Sequence, residues 1–354
     1  MHFGIFCLNS QWQPKKLPRD IYIETAEQIQ LAEKIGFEIA WFAEHHFSSY
    51  SICPSPLMMT TYMAGQTSKI KLGTAVLIAP LYDPIRLVED ISMADQLSNG
   101  RLVLGFGTGY QEYEFYRFGR TLTQARIALF DVLDIVDAFL SQDEVSFKNE
   151  RITLPKTHFA IRPIQKRPNI YLTGMATDIE AQRRSVQRGY IPFFTTGWNK
   201  IEWLQQNRKV VESTYAEAGG NPNQMPYAIQ RYVCVTDNPE EILTAAAGAR
   251  YVRRLSMAMR NNYGELDGSF LKEIPAPDEP DITTIASRLP IGDPDTVANR
   301  LIKDIEELSP NHISLFMGIP GLSQPQILKS MQRFATEVIP RLEHRFGNLS
   351  EIGY

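Results

Sequence analysis

Short apolar runs alternate along the chain with longer segments in which apolar residues recur at helical spacing. The first run, residues 2–8, is followed by residues 20–35, where the helical pattern ends at Gly36. Each of the eight runs precedes a predicted helix. The runs are residues 2–8, 38–45, 71–79, 101–107, 169–173, 190–196, 226–236 and 312–318. Because they are apolar throughout rather than alternating, they indicate strands buried on both faces of a parallel sheet.

Eight strand–helix units in series predict an α/β fold, a (β/α)8 TIM barrel with insertions, formed by a single domain over residues 1–354. An open doubly wound sheet would have about five or six strands. Residues 142–165 interrupt the series and are predicted to contain short strands. Residues 261–293 also interrupt it and are rich in Asn, Gly, Pro and Asp. Long irregular segments in compact domains are usually functional or disordered, so residues 261–293 are a candidate active-site lid.

Charge and composition argue against nucleic acid as a partner. The 36 Lys and Arg residues nearly balance the 40 Asp and Glu residues, which leaves a net charge of −4 and no strongly basic face. One group of arginines falls on the predicted helix over residues 239–260, and we interpret it as a solvated face or an interface. Its members are Arg250, Arg253, Arg254 and Arg260.

The cysteines and the N-terminus are typical of a cytoplasmic protein. The three cysteines are far apart in the sequence, which argues against a disulfide framework and against a metal site: Cys7, Cys53 and Cys234. Residues 1–10 have neither a basic n-region nor a small-residue cleavage site. Because no apolar run approaches the roughly 18–20 residues that cross a bilayer, we expect no membrane partner.

The active site of a (β/α)8 barrel lies at the carboxyl ends of its strands, so the residues that follow each run are the candidates for chemistry. The run 38–45 leads into AEHHF, which contains His45 and His46. Adjacent residues on a strand point to opposite sides, so at most one of these imidazoles faces the mouth of the barrel as an acid–base group. The alternative is that both histidines only pack or form hydrogen bonds.

Two glycine-containing turns offer binding surfaces. The sequence GFGTGY at residues 105–110 has the spacing of neither a dinucleotide-binding loop nor a P-loop, so it forms either a tight turn or a surface for a flat ring. The sequence TGMAT at residues 173–177 precedes a predicted helix, where backbone N–H groups and the Thr177 hydroxyl can hold a phosphate. Alternatively, Thr177 or Asp178 only caps the helix. Arg126, on the fourth predicted helix, either adds a positive charge to this phosphate site or lies on the surface.

These patterns together resemble the luciferase-like flavin-dependent monooxygenases, the family of bacterial luciferase. The resemblance is nearly ungapped over residues 40–119, which contain AWFAEHHF, KLGTAV, DQLSNGR and the glycine-rich turn. It continues in PIGDPDTVANRL at residues 290–301 and in VIPRL at residues 338–342. The combination of EHHF, LGTAV and DQLSNGR is specific, whereas each motif alone is not.

The resemblance implies roles for individual positions. His45 corresponds to the catalytic histidine of the family, and a cis peptide bond between Ala75 and Val76 is expected beneath the flavin ring. Arg126 corresponds to an arginine that binds the FMN phosphate. The segment 261–290 corresponds to a mobile loop. The phosphate-binding turn of the family corresponds to Gly174, Met175, Ala176 and Thr177.

Two positions depart from the family pattern in the wall beside the flavin. Gly107 stands where the family has a reactive cysteine, and Thr108 stands where it has an arginine. Both remain expected cofactor-binding positions, but the phosphate site loses one cation and the pocket gains volume. These departures argue against luciferase activity on long-chain aldehydes and leave the other flavin-binding positions in place.

The function implied by the resemblance is that of a two-component monooxygenase. A separate flavin reductase supplies reduced FMN (FMNH2), which reacts with O2 to give a C4a-(hydro)peroxide that oxygenates a small organic substrate. Two alternatives stay open: hydride transfer with the deazaflavin coenzyme used elsewhere in the superfamily, and a non-catalytic flavin-binding accessory subunit. The resemblance also implies a homodimer formed through the predicted helices at residues 55–68 and 84–98.

Overall fold

Eight parallel strands form a closed barrel in the computed structural model, which describes residues 1–349. In chain order the barrel strands are β1 (His2–Cys7), β2 (Ile39–Phe42), β3 (Lys71–Thr74), β4 (Leu102–Gly107), β5 (Ile170–Thr173), β6 (Ile191–Thr195), β7 (Ala228–Tyr232) and β8 (His312–Phe316). Each strand pairs in parallel with the next, and β8 pairs with β1. The predicted (β/α)8 barrel is confirmed. Residues 350–354, the end of the predicted domain, lie outside the described residues.

Most of the helices that flank the barrel begin with a side-chain cap or a proline, as is typical of helix starts. For example, the Ser55 side chain accepts a hydrogen bond from the N–H of Met58. The helices are α1 (Pro18–Lys34), α2 (Pro56–Ala64), α3 (Pro84–Leu97), α4 (Glu112–Arg117), α5 (Ala125–Ser141), α6 (Ile179–Arg188), α7 (Ile201–Glu217), α8 (Pro239–Arg260), α9 (Ile282–Arg288), α10 (Pro294–Leu308), α11 (Gln324–Arg333) and α12 (Ile339–Phe346). Within residues 1–349, none of the helices has both the length and the apolar character needed to cross a membrane.

The insertion after α5 is a two-stranded hairpin, which confirms the short strands predicted within residues 142–165. Its Val145 and Leu154 side chains are buried in the same core cluster as the inner face of α5, so the hairpin is anchored to the outer layer of the barrel. The short strands outside the barrel are Leu77–Ile78, Glu144–Lys148, Thr153–His158, Cys234–Val235, Leu266–Asp267, Phe270–Leu271 and Ile291–Gly292.

The second insertion packs against the loop that follows β2. Residues 261–293 contain a hairpin at residues 266–271 as well as α9, so the expectation of an irregular segment is wrong. The N–H of Ser49 donates to the carbonyl of Ser269 at 2.7 Å, and the N–H of Leu271 donates to the Ser49 hydroxyl at 3.1 Å. These two hydrogen bonds hold the hairpin on that loop.

Aromatic side chains fill the interior of the barrel. The ring of Trp41 lies 4.9 Å from that of Tyr171 and 5.3 Å from that of Phe193. A Cβ at Gly73 would lie 2.4 Å from the Trp41 ring, so the indole fits only because this neighbour is glycine. The Trp41 Nε1–H donates to His312 Nε2 at 2.9 Å. Burial lowers the pKa of His312 to about 3, because the interior would strip water from a charged imidazolium.

The buried His312 predicts that the protein loses stability in mild acid. Its folded-state pKa lies below the value of about 6.5 expected in the unfolded chain, so the unfolded state takes up the proton first as the pH falls. The stability present above about pH 6.5 is therefore lost progressively toward pH 3, by about 1 kcal/mol between about pH 7 and about pH 5.5. Urea unfolding of the wild type and of His312→Gln, which keeps an acceptor for Trp41, measures this loss. Equal pH dependence in both proteins would contradict the assignment.

Candidate functional site

A cavity opens at the carboxyl ends of the barrel strands, and residues on or just after each of the eight strands line it. This is the end at which (β/α)8 barrels carry their active sites. The cavity brings together six of the residues singled out in the sequence: His45, Ala75, Val76, Gly107, Thr108 and Gly174. Arg126, Met175, Ala176 and Thr177 lie outside its lining, on the turn after β5 and the helix beside it.

The wall formed by β3 changes course beside the cavity. The strand stops at Thr74, a cis peptide bond joins Ala75 and Val76, and Leu77–Ile78 then pairs again with the end of β4. The expected cis bond is therefore present. Where the ladder is interrupted, the Thr74 hydroxyl accepts from the Gly105 N–H at 2.9 Å and donates to the Gly105 carbonyl at 3.0 Å.

The side chain of Val76 occupies the space beside Gly107. A Cβ at Gly107 would lie 2.9 Å from Val76 Cγ2, so a cysteine at this position would require the valine to move. The volume left by the missing cysteine is therefore partly filled. The hydroxyl of the neighbouring Thr108 lies 3.0 Å from the Gly109 carbonyl and donates to it.

His45 is held by a buried carboxylate. Its Nδ1 lies 3.1 Å from Oε1 of Glu114, a fully buried side chain on α4 whose same oxygen accepts the His46 N–H at 2.7 Å. In the tautomer with the proton on Nδ1, this contact is a hydrogen bond donated to the carboxylate, and the lone pair of Nε2 faces the cavity. The side-chain amide of Gln111 also lies 3.0 Å from Nδ1, and turning that amide over places its oxygen at this contact.

The Nε2 atom of His45 faces two tyrosines in the cavity wall. The Tyr110 hydroxyl lies 3.5 Å from Nε2 and 3.5 Å from the Tyr50 hydroxyl. Burial raises the pKa of both phenols, so both stay protonated at neutral pH. The site therefore combines a proton acceptor on His45 with hydroxyl groups that can donate.

His46 points away from His45, as the strand alternation predicts. Its Nε2 lies 3.0 Å from Oε1 of Glu44. The other oxygen of Glu44 accepts from the Ile78 N–H at 3.1 Å and from the Tyr82 hydroxyl at 2.7 Å. Burial raises the pKa of Glu44, and these hydrogen bonds oppose that rise. His46 and Glu44 thus fix the backbone that follows the cis peptide bond.

The turn after β5 leads into a helix that is capped by one of the two residues named from the sequence. The helix cap is Asp178, whose side chain accepts the Ala181 N–H at 3.0 Å. Arg126 reaches this turn and forms a bidentate pair with Asp178, with Nε 2.6 Å from Oδ2. Among residues 1–349, no hydrogen-bond acceptor reaches the backbone N–H groups of Ala176 and Thr177. The turn therefore presents free donors next to a guanidinium.

The interpretation of the α8 arginines as one surface needs correction. Arg253 and Arg260 line the cavity, whereas Arg254 pairs with Glu273 and Glu279 outside it. A spacing of seven residues places Arg253 and Arg260 on one face of the helix, about two turns apart. That spacing was the available sequence signal, and only the packing of α8 shows which face meets the cavity.

Comparisons of the sequence with known proteins agree with the resemblance. The family described as Luciferase-like monooxygenase matches residues 1–312. A protein of Sinorhizobium fredii named uncharacterized protein y4vJ is 33% identical over 98% of this chain and 99% of its own length. The oxygenase component of the flavin-dependent trigonelline monooxygenase of Acinetobacter baylyi is 25% identical over 99% of this chain and 100% of its own length.

Solved structures share the fold at low sequence identity. The oxygenating constituent of 3,6-diketocamphane monooxygenase from Pseudomonas putida, in complex with FMN, superposes with a TM-score of 0.77 at 18% identity, covering 97% of this chain and 98% of that one. An F420-dependent secondary alcohol dehydrogenase superposes with a TM-score of 0.72 at 18% identity, covering 96% and 98%. The family model matches the amino-acid sequence itself over residues 1–312, so it shows family membership as well as a shared fold. The chain therefore belongs to the luciferase-like monooxygenase family and is a flavin-dependent oxidoreductase.

Proposed function

We propose that the protein is the oxygenase component of a two-component monooxygenase, which receives reduced FMN from a separate flavin reductase and uses O2 to oxygenate a small organic substrate. The observation that supports this most directly is the convergence of His45, the Ala75–Val76 turn and Gly107 on one cavity. The likeness to a flavin-dependent oxygenase component over nearly the whole chain adds to it. Bound reduced flavin supplies the electrons that activate O2.

The residues present fit a phosphorylated flavin. Gly107 and Gly174 contribute no side chains to the wall, and a Cβ at Gly174 would meet nothing within 4 Å. The free N–H groups of Ala176 and Thr177 suit a phosphate at the start of a helix. Arg126 would bring its guanidinium to the phosphate, and in this structure that guanidinium is paired with Asp178. Met175 contributes backbone only, because its side chain is buried in the core.

In this proposal His45 moves a proton at Nε2. Glu114 fixes the ring and its tautomer, so the lone pair of Nε2 is directed toward the reacting groups. Tyr50 and Tyr110 limit the access of water to this atom and donate hydrogen bonds from their hydroxyls. The hairpin at residues 266–271 is the proposed lid, since it rests on Ser49, next to Tyr50 in the same loop.

Two other functions remain candidates. Hydride transfer with a deazaflavin is supported by the shared fold of the F420-dependent dehydrogenase. A non-catalytic accessory subunit is disfavoured by the complete arrangement of His45, Glu114 and Tyr110, because a protein without catalysis has no need of an oriented imidazole.

Anaerobic titration with reduced FMN and, in parallel, with reduced F420 tests the proposal. We expect reduced FMN to bind and the complex to consume O2 on mixing, as followed by flavin absorbance and an oxygen electrode. Binding of F420 alone, without O2 consumption, would favour hydride transfer. Binding of FMN with no reaction beyond that of free reduced FMN would favour the accessory subunit.

A homodimer through α2 and α3 is also part of the proposal. These helices pack side by side and carry large apolar side chains exposed to solvent: Met58 (71%), Tyr62 (45%), Met93 (54%) and Leu97 (56%). Exposed apolar groups of this kind mark interaction surfaces.

We expect light scattering to give the mass of two chains for the wild type and of one chain for Met58→Lys/Met93→Lys. Ile127→Lys, an exposed apolar position on α5, is the matched control and should stay dimeric. A monomeric wild type would refute the dimer.

A further inference from the structure

We propose that the cavity binds a substrate bearing a carboxylate, which Arg253 and Arg260 of α8 recognise. The inference rests on the proposed function, since it assigns the class of the molecule to be oxygenated. Guanidinium groups keep their charge and bind carboxylates through paired hydrogen bonds. Both arginines line the same cavity as His45, and Ser256 lies between them on the same face of the helix.

The charges of these two arginines are not neutralised by the protein. Among residues 1–349, no Asp or Glu forms an ion pair with Arg253 or Arg260, whereas the adjacent Arg254 pairs with Glu273 and Glu279. The same helix thus carries the paired Arg254 outside the cavity and two arginines without an ion pair in the cavity lining. A cavity with unpaired cations favours an anionic ligand.

Within residues 1–349, the other polar groups of the cavity lining form no ion pair with these cations. Burial keeps the pKa of Tyr50 and Tyr110 above the usual phenol value, so neither hydroxyl supplies a negative charge at neutral pH. Glu44 also lines the cavity, but its oxygens are bound to His46, to the Tyr82 hydroxyl and to the Ile78 N–H, and it forms no ion pair with either arginine.

Arg260 is placed close to the proposed proton acceptor. Its guanidinium carbon lies 4.4 Å above the Tyr110 ring, and the hydroxyl of that ring lies 3.5 Å from His45 Nε2. A carboxylate held by Arg260 would therefore leave the rest of a small substrate within reach of His45. In the proposed function the flavin phosphate lies at the turn after β5, beside Arg126, which is paired with Asp178 and is outside the cavity lining.

The test uses the full-length protein loaded with FMN and titrates it calorimetrically with benzoate, phenylacetate, cinnamate and nicotinate, each paired with its neutral amide. We expect at least one acid to bind, with its amide clearly weaker. Arg253→Gln and Arg260→Gln should each weaken that acid by about 10- to 100-fold, as for the loss of a hydrogen bond to a charged group. Arg254→Gln, the matched control on the same helix, should leave the affinity for the acid unchanged.

Several results would overturn the inference. One is that no acid binds, or that each acid binds no better than its amide. Another is that Arg253→Gln and Arg260→Gln leave the affinity for the acid intact. If these variants weaken FMN but not riboflavin, the two arginines serve the flavin phosphate instead. Loss of acid selectivity while FMN still binds and reacts with O2 refutes this inference alone. Acid selectivity in a protein that does not bind FMN refutes the proposed function alone.

Discussion

Replacing His45 with alanine is expected to lower the rate of substrate oxygenation by about 10²- to 10⁴-fold, while reduced FMN binds as before. The imidazole reaches the cavity only through Nε2, because Nδ1 is engaged by Glu114. Removing the ring takes away the proton acceptor but leaves the Ala75–Val76 turn and the turn after β5 intact. O2 is then consumed without oxygenation and appears as H2O2.

Single-turnover oxidation, with product and H2O2 measured together, separates this role from a structural one. His158→Ala is the control, because that imidazole lies on the hairpin after α5 and its side chain is 72% exposed. Its H2O2 yield should equal that of the wild type. If His45→Ala oxygenates at the wild-type rate with no additional H2O2, the acid–base role is wrong. If it also loses FMN affinity, the ring instead supports the cofactor.

The barrel could be predicted from the sequence because its signal is repeated. Eight apolar runs, each buried on both faces, have few other arrangements when helices separate them. The different surroundings of His45 and His46 were predicted from the alternation of side chains along a strand, although β2 itself ends at Phe42. The position of the cis peptide bond came from the resemblance alone, since nothing in the composition of KLGTAV distinguishes it.

The partner of His45 could not be predicted in the same way. Glu114 lies on α4, a helix of only six residues, which is too short for a periodic pattern to stand out. Its side chain is fully buried, and the contacts that compensate the burial of a carboxyl group form only in the folded structure. Sequence reasoning therefore located the imidazole but not the group that orients it.

The two cavity arginines and the docked hairpin show a similar limit. Helical periodicity separates Arg253 from Arg254 by about 100°, but it does not say which direction faces the barrel. The hairpin at residues 266–271 has strands of two residues each, below the length at which alternation can be detected. The Asp267-Gly268 dipeptide is a typical hairpin turn, but it does not stand out in a segment that is rich in Asn, Gly, Pro and Asp throughout.

Gly105→Ala is expected to destabilise the protein by about 3 kcal/mol, at the upper end of the costs of overpacking. A Cβ at this position would lie 2.1 Å from the Thr74 carbonyl oxygen and 3.2 Å from its carbon. Both contacts are with backbone atoms, so no side-chain rotation can relieve them. The strands β3 and β4 would have to separate where the Thr74 hydroxyl now bonds to both the N–H and the carbonyl of Gly105.

Thermal unfolding and FMN titration measure the two consequences of this separation. For a chain of this length a loss of about 3 kcal/mol lowers Tm by about 4 °C. Binding of FMN should weaken as well, because Thr74 immediately precedes the turn at Ala75–Val76 in the cavity wall. Gly65→Ala is the matched control: its φ is −74°, and its Cβ would meet nothing closer than 3.5 Å. That variant should be as stable as the wild type or slightly more stable. Equal Tm values for the two variants would show that β3 and β4 accommodate a methyl group, and that the close approach at Gly105 does not shape the site.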